Sequence, residues 1–134
     1  MRFDYTRVRD PFLPNGSSYL PLVDVNIGKH RIPLKCLIDS GSPVIILHSP
    51  IGVAAGIIPA DGRKSSLMGI GSGTIEGYYH TIEMNFYGID FTGTVFFYAD
   101  LDTPFGLLGQ LGFFENFRVD FRLSHRYFDI HPVK

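Results

Sequence analysis

The chain has 134 residues, of which 45% are hydrophobic and 14% aromatic, and its formal net charge is −1. This length predicts one domain with a core of its own, and the apolar composition excludes a disordered chain. The near-neutral charge gives no reason to expect nucleic acid or a membrane surface as a partner.

The sequence also lacks patterns that would direct the chain out of the cytoplasm. Residues 1–10 have no apolar segment of the kind a signal peptide needs, and no stretch approaches the roughly 20 apolar residues of a membrane span. The single cysteine, Cys36, excludes an intramolecular disulfide and lies in an apolar run, so we expect it to be a small buried core residue. We therefore expect a cytoplasmic protein.

The first part of the chain alternates turn residues with short apolar strands. Residues 1–18 are mixed in charge and contain prolines, which indicates an irregular N-terminal arm ahead of a single domain over residues 19–134. An alternating strand over 19–27 and a returning strand over 31–38 predict a hairpin. A further β-branched strand is predicted over 44–47.

One helix is predicted directly after these strands. Ser49 is in a position to cap the helix, Pro50 suits the first helical residue, and Gly56 ends the pattern. Residues 51–55 would form barely two turns of helix.

The rest of the chain predicts further strands. The glycine-dense segment 65–79 keeps apolar residues between its glycines, which indicates a β-hairpin and not a linker. Strands follow over 80–86 and 91–98, and 118–121 with 127–130 predict a terminal hairpin. Many short strands separated by turns are typical of an all-β barrel or sandwich.

A carboxylate in an apolar context is the most informative local feature. Asp39 comes directly after an apolar strand and is followed by Ser40, Gly41 and Ser42. A carboxylate there is costly unless neighbouring groups satisfy it, and Gly41 permits a tight turn. From these four residues alone, a surface β-turn and a catalytic carboxylate are about equally well supported.

Three motifs in order resemble those of the retropepsin-like, retroviral-type aspartic peptidases. The first is Asp39-Ser40-Gly41 after an apolar strand. The second is the glycine-rich flap sequence Gly69-Ile70-Gly71-Ser72-Gly73. The third is the pair of apolar residues and a glycine, Leu107-Leu108-Gly109, which precedes a short helix in that family. The resemblance extends over about residues 19–130, and the insert 51–63 is similar to bacterial members of the family.

The resemblance implies an acid-protease β-barrel, closed or partly open, with one or two short helices and active as a homodimer. One chain carries one Asp-Ser-Gly motif, so each copy would supply one Asp39 to a catalytic pair of carboxylates. Ser40 would brace the two active-site turns across the dimer, and the Gly41 backbone would face the substrate. Ser42 is able to hydrogen-bond Asp39.

The other two motifs take their roles from the same resemblance. Gly69, Ile70, Gly71, Ser72 and Gly73 would form a flap that closes over an extended peptide. Leu107 and Leu108 would support the Asp39 turn, and Gly109 would admit close packing. In that family the dimer uses the terminal strands, so residues 127–130 are the expected interface.

Some residues depart from the usual pattern of that family. Ser72 stands where the flap usually has glycine, and Ser40 where the catalytic turn more often has threonine. Gln110 follows the third motif in place of the arginine or aspartate of many relatives, which is expected to alter the salt bridges that support the dimer.

Other chemistries fit the sequence less well. The glycine-rich segment matches neither a phosphate-binding loop nor a dinucleotide-binding fingerprint. We expect no metal and no cofactor, because the histidines are scattered without metal-binding spacing: His30, His48, His80, His125 and His131. The sequence thus predicts an aspartic endopeptidase. The alternatives are a catalytically silent dimerisation or peptide-binding module of the same fold, and a monomer that dimerises only at high concentration or on a membrane or a partner.

Overall fold

A computed structural model describes residues 1–68 and 73–133 of the chain. More than half of the chain forms β-strands, with one short α-helix in the described residues. The strands are β1 Arg2–Asp4, β2 Thr6–Arg9, β3 Ser17–Leu20, β4 Leu22–Ile27, β5 Ile32–Ile38, β6 Ile45–His48, β7 Arg63–Met68, β8 Thr74–Phe86, β9 Ile89–Tyr98, β10 Gly106–Leu108, β11 Phe117–Arg122 and β12 Tyr127–Pro132. The helix α1 is Ser49–Ala54, and single 3-10 turns lie at Pro59–Asp61 and Leu123–His125.

Six strands close into a ring. Their order is β4-β5-β10-β6-β9-β8, and β8 returns to β4 through the pairs Asn26 with Asn85 and Ile27 with Met84. Strand β7 extends this sheet from the outer side of β8. The predicted all-β barrel with one or two short helices is therefore confirmed.

Burial of apolar side chains inside the barrel explains why the sheet closes. Alternate residues of the ring strands are buried, as in β4, where Val23, Val25 and Ile27 are 2% exposed or less. Phenylalanines fill the space between the barrel and the C-terminal segment, and the rings of Phe113 and Phe117 stack with centroids 4.9 Å apart. The core thus links the barrel to the chain that follows β10.

Cys36 is a buried core residue, as predicted. Its side chain is fully buried on β5, and burial raises the pKa of the thiol to about 12. A thiol in this state is protonated at any physiological pH, so its contribution is packing.

A second, three-stranded sheet joins the two ends of the chain. Its order is β1-β12-β11, and Arg2 forms two hydrogen bonds with Asp129, at 2.9 and 3.1 Å. The predicted terminal hairpin is present as β11 and β12. Strand β12 is central, so its backbone is paired on both sides within the chain over Tyr127–Asp129.

The N-terminal residues are more regular than the sequence predicts. Strand β1 pairs with β12, and β2 pairs with β3 as a separate hairpin, so the expectation of an irregular segment is wrong for these strands. Prolines and charges suggested irregularity, but β1 is ordered by a partner at the other end of the chain and β2 by the neighbouring strand β3. The division into an arm, 1–18, and a domain, 19–134, remains a prediction.

Two details of the predicted helices are corrected. His48, not Ser49, occupies the N-cap position of α1, and no side chain caps this end. A helix is also absent directly after Gly109, since residues 112–116 form turns. Gly112 has φ of 99° there, a conformation that cannot start a right-handed helix.

Candidate active site

The carboxylate of Asp39 lies in a tight turn at the end of β5. Its Oδ1 accepts a hydrogen bond from the Gly41 N–H at 3.0 Å, and its backbone carbonyl accepts one from the Ser42 N–H at 3.1 Å. The side chain therefore reaches back over its own turn, as aspartate does in many turns of this kind. Asp39 is partly exposed, while Ser40 and Gly41 are exposed.

The neighbouring barrel strand, β10, holds this turn in place. It pairs in parallel with β5, matching Leu107 with Leu37 and Leu108 with Ile38. One step beyond that ladder, the Asp39 N–H donates to the Leu108 carbonyl at 2.9 Å. The structure thus brings two of the three sequence motifs into direct contact.

Gly109 lies against the backbone that leaves the Asp39 turn. A Cβ at this position would clash with the carbonyl oxygens of Val44 and Ser42. The chain beyond it is bonded to the same segment, because the Gln110 N–H donates to Ser42 and the Leu111 N–H to Pro43, both at 2.9 Å. Glycine is therefore required for this approach of the two backbones.

The hydroxyl of Ser42 has a different partner from the one expected. It is buried and donates to the Val44 carbonyl at 2.7 Å. The sequence suggested a bond to Asp39, but the turn directs the Ser42 side chain inward along the next strand. Ser42 therefore stabilises the route from the turn into β6.

The side chain of Gln110 makes a contact that the sequence did not predict. Its Nε2 donates to the Ser40 carbonyl at 2.6 Å. Its position after Leu107-Leu108-Gly109 marked Gln110 as unusual, but sequence alone assigned that difference to salt bridges of a dimer. Ser40 and Gln110 lie far apart in the chain, so no local sequence pattern predicts their contact.

The predicted glycine-rich hairpin is formed by β7 and β8. The strands pair from Arg63 with Tyr79 to Met68 with Thr74. Four of the five predicted flap residues, Gly69, Ile70, Gly71 and Ser72, lie outside the described residues. Gly73 is exposed, and an added Cβ there would meet no atom of the described residues within 4 Å.

The loop end of this hairpin packs against residues that follow the Asp39 turn. Leu67 of β7 and Ile75 of β8 contact a small cluster that contains Val44 and Ile46, the residues that follow the turn. Leu107 packs against the same cluster and remains partly exposed. An apolar cluster therefore connects the hairpin with the segment that follows the Asp39 turn.

The charges that surround these motifs do not form a metal site. Among residues 1–68 and 73–133, no group of three or more histidine, cysteine, aspartate or glutamate side chains is arranged to hold a metal ion.

Within residues 1–68 and 73–133, no helix is long and apolar enough to cross a membrane.

One oriented carboxylate is able to accept a proton from water. Hydrolysis of a peptide bond by an activated water also requires an acid to protonate the departing group. The turn supplies a single carboxyl group, so such chemistry would need a second group opposite Asp39.

Comparisons with solved structures identify the fold. A retropepsin-like aspartic protease from Rickettsia conorii superposes with a TM-score of 0.66 at 17% identity, covering 98% of each chain. EIAV protease complexed with the inhibitor HBY-793 gives a TM-score of 0.50 at 23% identity, covering 67% of this chain and 81% of the viral one. No protein-family model and no curated protein matches the sequence. The chain therefore has the retropepsin-like aspartic protease fold.

Proposed function

We propose that this protein is an aspartic endopeptidase that acts as a homodimer, with one Asp39 from each copy at the catalytic centre. The observation that carries the proposal is the position of Asp39 in this fold. It ends a barrel strand, its carboxylate is oriented by the Gly41 N–H, and its backbone is bonded to Leu108. Rigid strands that hold a reactive side chain in one geometry are what a catalytic group requires.

The dimer would complete the chemistry. A two-fold axis near the turn places two identical carboxylates side by side. Two such charges cannot both ionise easily, so the pair shares one proton, as is established for aspartic proteases. The ionised Asp39 would take a proton from water, and the protonated Asp39 would polarise the scissile carbonyl and protonate the departing amine.

The substrate is expected to be an extended peptide with apolar side chains near the cleaved bond. Such a peptide would lie as an added strand beneath the β7–β8 hairpin. The partly exposed residues Leu67, Ile75 and Leu107 would offer an apolar surface to alternate side chains. Residues 69–73 would close over the peptide and exclude water from the reacting carbonyl.

The terminal sheet is the expected contact between the two copies. The sequence pointed to residues 127–130, but the β12 backbone is already paired on both sides over Tyr127–Asp129. We therefore expect the outer strands of this sheet, β1 and β11, to carry backbone contacts to the partner. Phe121 of β11 is 42% exposed and would contribute apolar contact.

Substitution of Asp39 tests the proposal directly. Asp39→Asn keeps an oxygen that is able to accept the Gly41 N–H, so the fold should remain while turnover of a denatured-protein library disappears. Asp24→Asn is the matched control, because Asp24 is an exposed residue of the same barrel that pairs with Lys35 at 3.1 Å. Its activity should equal that of the wild type.

The same assay separates cleavage from binding. The wild type should cut the library, and a statine-type inhibitor should stop it. Peptide binding without any cleavage by the wild type would support the silent module, and activity retained by Asp39→Asn would refute the assignment of Asp39.

A further inference from the structure

We propose that Gln110 is a positioning residue for Asp39 and acts through the peptide group between Ser40 and Gly41. The inference rests on the proposed function of Asp39 and adds a residue that sets the orientation of its carboxylate. The Gln110 Nε2 donates to the Ser40 carbonyl at 2.6 Å, and the Gly41 N–H donates to Asp39 Oδ1 at 3.0 Å.

These two hydrogen bonds lie on opposite sides of one rigid unit. The Ser40 carbonyl and the Gly41 N–H belong to the same planar trans peptide, so they point in opposite directions. A group that fixes the carbonyl on one side therefore fixes the N–H on the other. The amide of Gln110 holds the carbonyl of this peptide, and the N–H of the same peptide binds Asp39.

In a β-turn, the central peptide is the one that flips between the type I and type II forms. Ser42 N–H donates to the Asp39 carbonyl, so residues 39–42 form a β-turn with the Ser40–Gly41 peptide at its centre. Gly41 is not among the glycines with positive φ, which excludes the type II form. Because Gly41 has no Cβ, it tolerates both forms about equally well.

A flip would reverse the surroundings of the carboxylate. In the type II form the Ser40 carbonyl would point to the side where the Gly41 N–H now lies. Asp39 would lose its donor and face an oxygen dipole in its place. The bond from Gln110 selects the form in which the N–H faces Asp39.

Gln110 is well placed to make this selection. Its own N–H donates to the Ser42 carbonyl at 2.9 Å, so its backbone is attached to the same turn that its side chain holds. The approach depends on Gly109, where a Cβ would clash with Ser42 and Val44. An amide also donates without adding a charge near the carboxylate.

Three variants test the role of the side chain. Gln110→Met has a similar size and no donor, and Gln110 is exposed, so the fold should persist. Gln110→Lys restores a donor. Glu115→Ala is the control, since it removes the 2.6 Å bond to the Gly112 N–H in the same loop and has no contact with the Ser40 peptide.

The first measurement does not depend on activity. The amide resonance of Gly41 in a ¹⁵N–¹H spectrum reports its hydrogen bond to Asp39. It should shift upfield in Gln110→Met, return toward the wild-type position in Gln110→Lys and stay unchanged in Glu115→Ala. A Gly41 resonance that does not move in Gln110→Met would overturn the proposal.

The second measurement is steady-state kinetics on a cleaved peptide. Gln110→Met should lower kcat by about 10- to 100-fold with little change in KM, because a misoriented group slows chemistry more than binding. Gln110→Lys should recover most of the loss. A change confined to KM, or an equal loss in Glu115→Ala, would also overturn the proposal. If the wild type cuts nothing, the proposed function fails, while the Gly41 resonance still decides the role of Gln110.

Discussion

The backbone N–H of Asp39 donates to the carbonyl of Leu108 at 2.9 Å, and this bond joins the first sequence motif to the third. It continues the parallel ladder of β5 and β10 one step beyond the last paired residues, Ile38 and Leu108. Because β10 also pairs with β6, the strands before and after the turn are both anchored to β10. The Asp39 turn is therefore supported by barrel strands.

Gly109→Ala is expected to damage this support. The new Cβ would meet the carbonyl oxygens of Val44 and Ser42, which belong to the backbone and cannot rotate away. Overpacking of this kind costs about 1–3 kcal/mol in unfolding free energy. Denaturant unfolding should reveal the loss, and peptide cleavage should fall with it.

Gly73→Ala is the matched control for Gly109→Ala. Within the part of the chain that the structure describes, its added Cβ would meet no atom within 4 Å, and Gly73 is exposed. Its unfolding free energy should stay within about 0.5 kcal/mol of the wild type. Equal stability of both variants would show that the contact at Gly109 is not tight.

Much of the fold follows from local patterns in the sequence. Alternation over β4 and β8 and the Tyr87-Gly88 turn are local signals, so the strands and the barrel class were predictable. The contact between Gln110 and Ser40 was not, because it depends on the parallel pairing of β10 with β5. The strand β1 was missed for the same reason, since its partner β12 lies at the other end of the chain. The strand β2 was missed for a different reason, because the prolines between it and its nearby partner β3 suggested an irregular segment.

The ion pair between Arg2 and Asp129 should make the terminal sheet sensitive to acid. The hydrogen bonds from Arg2 lower the pKa of the Asp129 carboxyl. A lowered folded-state pKa gives stability that is present above the unfolded value and lost as pH falls through the folded one. In thermal unfolding, the midpoint temperature of Asp129→Asn should therefore be lower than that of the wild type at pH 6. The difference between the two temperatures should disappear near pH 2.

Asp129→Asn keeps the stacking of Arg2 over Tyr127, at 3.8 Å, so the comparison isolates the charge. Asp24→Asn provides the control, because its exposed pair with Lys35 lies within one hairpin and does not join the two ends of the chain. A gap for Asp129→Asn that persists unchanged at pH 2 would contradict the electrostatic origin.

Cys36 should make the protein less stable in alkali. Burial raises the pKa of its thiol from its ordinary value of 9.0 to about 12. Above pH 9 the thiol ionises in the unfolded chain and stays protonated in the folded one, so the unfolded state gains stability as pH rises. The unfolding free energy of the wild type should therefore fall as the pH rises from 9 toward 12.

Cys36→Ala separates this effect from the titration of other groups. The variant should be less stable than the wild type at pH 7, because it leaves a small cavity. The difference in unfolding free energy between the two proteins should become smaller from pH 9 upward, since only the wild type carries the thiol. Unfolding free energies from denaturant titrations at several pH values would measure this, and a constant gap would refute it.

Mixing experiments test whether two copies of Asp39 are needed together. If each active site takes one carboxylate from each chain, a mixed dimer of wild type and Asp39→Asn is inactive. After exchange of subunits at equal concentrations, about one quarter of the dimers contain two wild-type chains. Cleavage per wild-type chain should therefore fall to about half of its value alone. Asp24→Asn, mixed in the same way, should cause no loss because it retains Asp39. Activity per wild-type chain that is unaffected by Asp39→Asn, at concentrations where sedimentation detects exchange, would mean that one chain carries a complete site.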